Sequence, residues 1–162
     1  MLMKRLLLLA TSLILLATVN LKAQSVNPNT EVIIGAGTGI SGNIPTNTYY
    51  KYSYTQQIYT ASEMGGASII DKIYFQYTYS SSVIRNVDIY LGNTTKEVFA
   101  SNKDYVPVEE MSLVYSGSVT FNNSSDWFEI VLDSPFVYDG ISNLVVAFDD
   151  NTGSFQNPSS KK

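Results

Sequence analysis

Hydrophobic and polar positions alternate through most of the chain beyond residue 50, and the clearest case is IIDKIYFQYTY, residues 69–79. Ile73, Phe75, Tyr77 and Tyr79 share one face and Lys72, Tyr74, Gln76 and Thr78 the other, the period of two of a half-buried β-strand. After the break SSSVIRN, Val87, Ile89 and Leu91 alternate with Asp88 and Tyr90 until the turn residues LGNTT. Two such strands in succession imply an antiparallel sheet with one face buried. LVYSGSVTF (113–121), the turn NNSSD and WFEIVL (127–132) read as a hairpin, with Phe128, Ile130 and Leu132 on one face. Earlier strands are expected at EVIIGA (31–36) and from Tyr54 to Thr60, and a last one where Leu144, Val146 and Phe148 alternate in LVVAFDD. Lys96 to Pro107 is too irregular for anything but a long connection, and no helix-length amphipathic segment follows residue 23.

Short strands with long connections between several of them predict an all-β, antiparallel two-sheet β-sandwich. The irregular connections and the missing Cys…Trp…Cys spacing favour a jelly-roll-like winding over an immunoglobulin one. After LVVAFDDNTGS only FQNPSSKK remains, with no returning strand in it. The sandwich is therefore expected to lack its last strand or strands, leaving Leu144 to Phe148 as an open edge, so that the protein is either marginally stable or self-associates through that strand.

The start of the chain changes the picture of where this fold works. Lys4 and Arg5, the apolar run Leu6 to Val19 and the small-residue end at Ala23 form a secretory-signal pattern. The run of 14 residues is short of the roughly 20 a membrane span needs. The expected organisation is a signal peptide over 1–23, a leader over 24–30, a sandwich domain over 31–155 and a polar tail over 156–162, giving a secreted or cell-surface protein with no membrane span after cleavage. Roughly 140 residues suffice for one packed core. With no cysteine, that core is built without disulfides. A net charge of −4 and a pI near 4.6 argue against nucleic acid, whose binders carry clustered basic patches.

Without His or Cys there is no Ser-His-Asp or Cys-His arrangement and no imidazole or thiolate zinc site. A carboxylate pair of the glycosidase kind is the surviving catalytic option, with Glu109, Glu110, Asp126, Glu129, Asp133 and Asp139 as candidates by type. All fall at turns or on solvent faces of expected strands, where charge is ordinarily just solvated. Asp149, Asp150 and Asn151 lie on a tight turn of oxygen ligands that suits Ca²⁺, although their spacing is not that of an EF-hand loop and an ordinary Asp/Asn/Gly turn is the favoured explanation. The glycine-rich stretch GAGTGISGNIP fits neither nucleotide-binding template. Tyr50, Tyr52 and Tyr54, with Trp127, are candidates for a sugar platform of flat aromatic faces beside amides and hydroxyls; cross-strand aromatic packing is the competing explanation.

The strings QQIYTASEMGG, IDKIYFQY, RNVDIYLGNTTKEVF, VPVEEMSLVYSGSVTF and PFVYDGISNLVVAFDDNTGS resemble a jelly-roll-like sandwich module of secreted Bacteroidetes surface proteins, similar to adhesin domains of the gingipain and haemagglutinin type. The resemblance implies a non-catalytic module that binds a surface glycan or protein. A structural spacer of a larger surface protein is the alternative, and a carboxylate glycosidase a distant third.

Overall fold

The computed structural model describes residues 31–35, 41–79, 81–122 and 125–156. The expected signal, leader, glycine-rich stretch 36–40 and most of the polar tail lie outside the described residues. Among the described residues six strands carry the fold: β1 Ser53–Tyr59, β2 Ser68–Thr78, β3 Val83–Thr94, β4 Ser112–Phe121, β5 Ser125–Tyr138 and β6 Asn143–Asp150. They pair antiparallel from the ends of the chain inward: β1 with β6, β2 with β5 and β3 with β4, with β6 also joining β3. The result is a four-stranded sheet, β1-β6-β3-β4, and a two-stranded sheet, β2-β5. A ribbon of nested pairs split between two sheets is the winding of a jelly roll.

This topology revises two local expectations. Sequence neighbours β2 and β3 belong to different sheets, and so do β4 and β5. The tight connection after Phe121 is thus a crossover between sheets and not a ladder hairpin. It also overturns the expected open edge at Leu144 to Phe148, because β6 has a partner on each side. Self-association through that strand is excluded by the backbone bonds it has already made.

Between the sheets, β3 contributes Val83, Val87, Ile89 and Leu91, β6 contributes Leu144, Val146 and Phe148, and β4 contributes Val114, Val119 and Phe121, all buried. From the two-stranded sheet Ile73, Phe75, Tyr77, Phe128, Ile130 and Leu132 meet them. Phe75 stands edge-on to Phe148, with ring centroids 5.3 Å apart. The alternation survives a bulge: Ile70 pairs with Phe136 and Lys72 with Val131. The single residue Asp71 of β2 stands opposite four residues of β5, 132–135, and across this irregularity Ile70 and Ile73 both pack on the core. β5 absorbs Pro135 within the same irregular stretch and runs on to Tyr138, past the point where the sequence pattern seemed to end. β3 likewise begins earlier than its pattern, because its core-facing series includes the charged Arg85.

The long connection 95–111 covers part of the other face of the four-stranded sheet, which explains why Val145 and Ala147 are buried although they point away from the core. The Gln56 side chain clamps it, accepting from the Val106 N–H at 2.8 Å and donating to the Val106 carbonyl at 2.7 Å. Gly92 allows the close approach, since a Cβ there would lie 2.8 Å from Met111 Cγ. Thr60 and Glu63 form a capping box that starts the one-turn helix Ala61–Met64, and Gly65 at φ 74° ends it. Residues 31–35, expected as part of a strand, join no ladder among the described residues; Ile34 packs on the core and Gly35 has a φ of 87°.

Candidate functional site

At the end of the sandwich where β6 stops, Arg85 and Asp150 form an ion pair, Nε to Oδ2 at 2.6 Å, with both side chains 0% exposed. Every nitrogen of the guanidinium and both oxygens of the carboxylate have a partner. Asp150 Oδ2 also accepts from the Thr46 hydroxyl, and its Oδ1 accepts from the Thr152 N–H at 3.1 Å and the Thr152 hydroxyl at 2.6 Å. The guanidinium donates through Nη1 to the Ser154 carbonyl and through Nη2 to the Tyr50 carbonyl, both at 2.8 Å. One buried arginine thus holds two separate segments, 41–52 and 151–156. They are sewn together further by Gly153 N–H to Lys51 O at 2.9 Å and Gln156 N–H to Thr48 O at 2.8 Å.

Those two segments carry exposed aromatic rings. Tyr49, Tyr50, Tyr52 and Phe155 are 62%, 57%, 64% and 61% exposed. Tyr49 packs edge-on against Tyr50 at 5.7 Å and lies 6.5 Å from Phe155, while the Tyr52 hydroxyl sits beside Gly153. Exposed aromatic clusters are uncommon on soluble domains and mark interaction sites. Here the rings are displayed at one end, above a fixed polar base.

A second row begins next to it on the outer face of the four-stranded sheet. Tyr54 of β1 lies opposite Asp149 of β6, which lies opposite Asp88 of β3, which lies opposite Ser116 of β4. Tyr90 and Tyr105 are close by. Burial first, and then the nearby charges of Asp88 and Asp149, push the Tyr90 hydroxyl above its ordinary range; burial and then Asp149 raise that of Tyr54, against a lowering hydrogen bond from Gln56.

The residues anticipated from sequence are therefore redistributed. Tyr50 and Tyr52 stand on the aromatic end and Tyr54 heads the adjoining row. Trp127 lies on the opposite sheet, across from Gln76, and does not join them. Asp149 and Asp150 face opposite sides of β6, the first outward beside Tyr54 and the second inward onto Arg85. Asn151 is exposed and its backbone N–H donates to the Asn86 carbonyl. The three do not converge on one point, and the described residues contain no group of three or more His, Cys, Asp or Glu able to hold a metal ion. What Ca²⁺ would need from Asp150 is already used by Arg85, Thr46 and Thr152.

The carboxylates considered for catalysis have structural neighbours. Glu129 accepts from Tyr74 at 2.6 Å and Lys72 at 3.3 Å, Asp133 accepts from the Ser116 N–H at 2.9 Å, and Asp139 accepts from the N–H groups of Ile141 and Ser142 at 2.8 Å. Hydrogen bonds from Tyr74 and Lys72 hold Glu129 below the usual carboxylate range, and those from Ile141 and Ser142 do the same for Asp139. A general acid needs the opposite shift. Glu109 and Glu110 are exposed in the 3₁₀ turn Val108–Glu110, and the Asp126 side chain lies outside the described residues.

No family model, curated protein or solved structure matches the chain. The site has to be read from its own geometry. Sequence reasoning missed Phe155, which was assigned to the end of the domain, and missed Arg85 and Asp150 as a pair. The signal for the pair was present: a lone arginine in phase with Val83, Val87 and Ile89 predicts a buried partner. Among the described residues no helix is long and apolar enough to cross a membrane.

Proposed function

We propose that this domain is a non-catalytic binding module whose aromatic end takes a surface glycan, with the Tyr54–Asp149–Asp88 row extending the contact surface. The observation that carries this reading is the gathering of Tyr49, Tyr50, Tyr52 and Phe155 on two segments held by one fully buried Arg85–Asp150 pair. Flat rings stack on the apolar faces of sugar rings, and neighbouring carboxylates, amides and hydroxyls supply hydrogen bonds to sugar hydroxyls. Loops on a rigid β scaffold are where such sites are ordinarily built. The signal-like residues 1–23 support an extracellular setting, where such ligands are found.

The test is a glycan array followed by titration calorimetry of the best ligand. The Tyr50→Ala, Tyr52→Ala protein loses two of the exposed rings and should bind roughly tenfold more weakly, about 1.4 kcal/mol, while melting at the wild-type temperature. Uniform silence of the wild type across host and bacterial polysaccharides sinks the proposal.

A further inference from the structure

Tyr49, Tyr50 and Phe155 do not share a plane. Tyr49 and Tyr50 follow one another in the turn over residues 47–50, which the Tyr50 N–H closes on the Asn47 carbonyl at 3.1 Å, while the Asn47 side chain accepts from the Tyr49 N–H at 3.1 Å. On a strand, alternate residues lay their side chains along one face; consecutive residues in a turn do not, and these two rings meet at 88° with centroids 5.7 Å apart. Phe155 comes from the other segment and stands at 54° to Tyr49, 6.5 Å away. Its neighbours on both sides are anchored. The Ser154 carbonyl accepts from Arg85 Nη1 at 2.8 Å, the Gln156 N–H donates to the Thr48 carbonyl at 2.8 Å, and Gln156 Oε1 accepts from the Ile84 N–H at 3.3 Å. The backbone beneath each ring is thus fixed, and the corner they form is built before a ligand arrives, which lowers the ordering cost of binding.

The angles restrict what fits. A polysaccharide lying along a surface stacks successive sugars on rings that face the same way, and no single plane can lie flat on both Tyr49 and Tyr50. A sugar stacked on Tyr49 would have Tyr50 standing at 88° and Phe155 at 54° to it. Centroids this close are those of rings in mutual contact, so the three crowd about one sugar and do not mark out a row of them. A corner takes a residue that can be approached on more than one side. The last residue of a chain or branch offers that, whereas an internal residue carries linked neighbours at both ends. Trp127, a ring suited to flat stacking, is exposed on the other sheet across from Gln76.

We propose that the aromatic end recognises the terminal residue of a glycan chain or branch and not the flat run of a polysaccharide, an inference that rests on the glycan reading above. The test is titration calorimetry with short and long oligomers of cellulose, chitin, mannan and xylan, beside retention of the protein on powders of crystalline cellulose and chitin. The expected result is one protein bound per chain at both lengths and no retention on either powder. Tyr49→Ala and Phe155→Ala should each weaken oligomer binding several-fold at unchanged stoichiometry, and Trp127→Ala should bind as the wild type does. A number of proteins per chain that grows with chain length, retention on the powders, or binding indifferent to Tyr49→Ala and Phe155→Ala overturns the chain-end inference and leaves the glycan reading in place. Silence with all of these oligomers and powders also overturns it, and silence of the glycan array as well removes the glycan reading with it.

Discussion

Arg85 on β3 and Asp150 at the end of β6 bond at 2.6 Å with no solvent exposure of either side chain. A buried pair adds little net stability, because desolvation offsets the attraction, but removing one partner strands the other. Asp150→Leu or Arg85→Met alone should therefore cost about 3–5 kcal/mol in urea unfolding. The double variant Arg85→Met, Asp150→Leu should recover most of that loss. It should nevertheless bind glycan less well than wild type, since the Tyr50 and Ser154 carbonyls lose their common donor. A double variant as unstable as the worse single one would show that the pair contributes stability and not only orientation.

Phe75 and Gln76 are adjacent in β2 but face opposite ways, Phe75 edge-on to Phe148 and Gln76 into solvent beside Trp127. Phe75→Ala opens a cavity at the contact between the sheets and should cost about 3–5 kcal/mol, while Gln76→Ala should stay within about 0.5 kcal/mol. Denaturant melts of the two variants decide the matter. Comparable losses would mean that the core does not lie where β2 points Phe75.

Tyr74 donates to Glu129 at 2.6 Å, and that bond pushes its ionisation from 10.0 up to about 12. A group whose folded value is raised stabilises the protein fully below its unfolded value and loses that contribution as pH climbs through the folded one. The melting-temperature advantage of wild type over Tyr74→Phe should accordingly hold up to about pH 10 and close by about pH 12. Glu129 is shifted the other way, held low by Tyr74 and Lys72. Its contribution is present above the ordinary carboxylate range and is lost as pH falls below it, so the gap between wild type and Glu129→Gln should close on the acid side. A gap that stayed constant from neutral to strongly alkaline pH would show that the Tyr74–Glu129 bond does not persist in solution.

Which residues face inward was legible along much of the chain. Ile73, Phe75 and Tyr77, Val87, Ile89 and Leu91, and Phe128, Ile130 and Leu132 all lie where their alternation put them, because side chains on a pleated strand change face at every residue whatever the strand pairs with. The pattern broke at Arg85, a charge in a core-facing series, and at Ser134-Pro135, where turn residues sit inside β5. In both places a tertiary partner outweighed local preference: Asp150 for the arginine, and a bulge opposite Asp71 for the proline.

The chain's residues by themselves determined an all-β sandwich and, through Tyr50, Tyr52 and Tyr54, part of the aromatic surface. Only the tertiary structure decided the partners. Alternation tells a strand which side is buried but says nothing about its neighbour, since the backbone groups that pair are the same at every residue. So β6 was free to insert between β1 and β3 and was not left as an edge. The same insertion carried Asp150 inward onto Arg85 and turned Asp149 outward beside Tyr54. It also brought Phe155 against Tyr49, and these contacts join residues 65 to 106 positions apart, which no local pattern encodes.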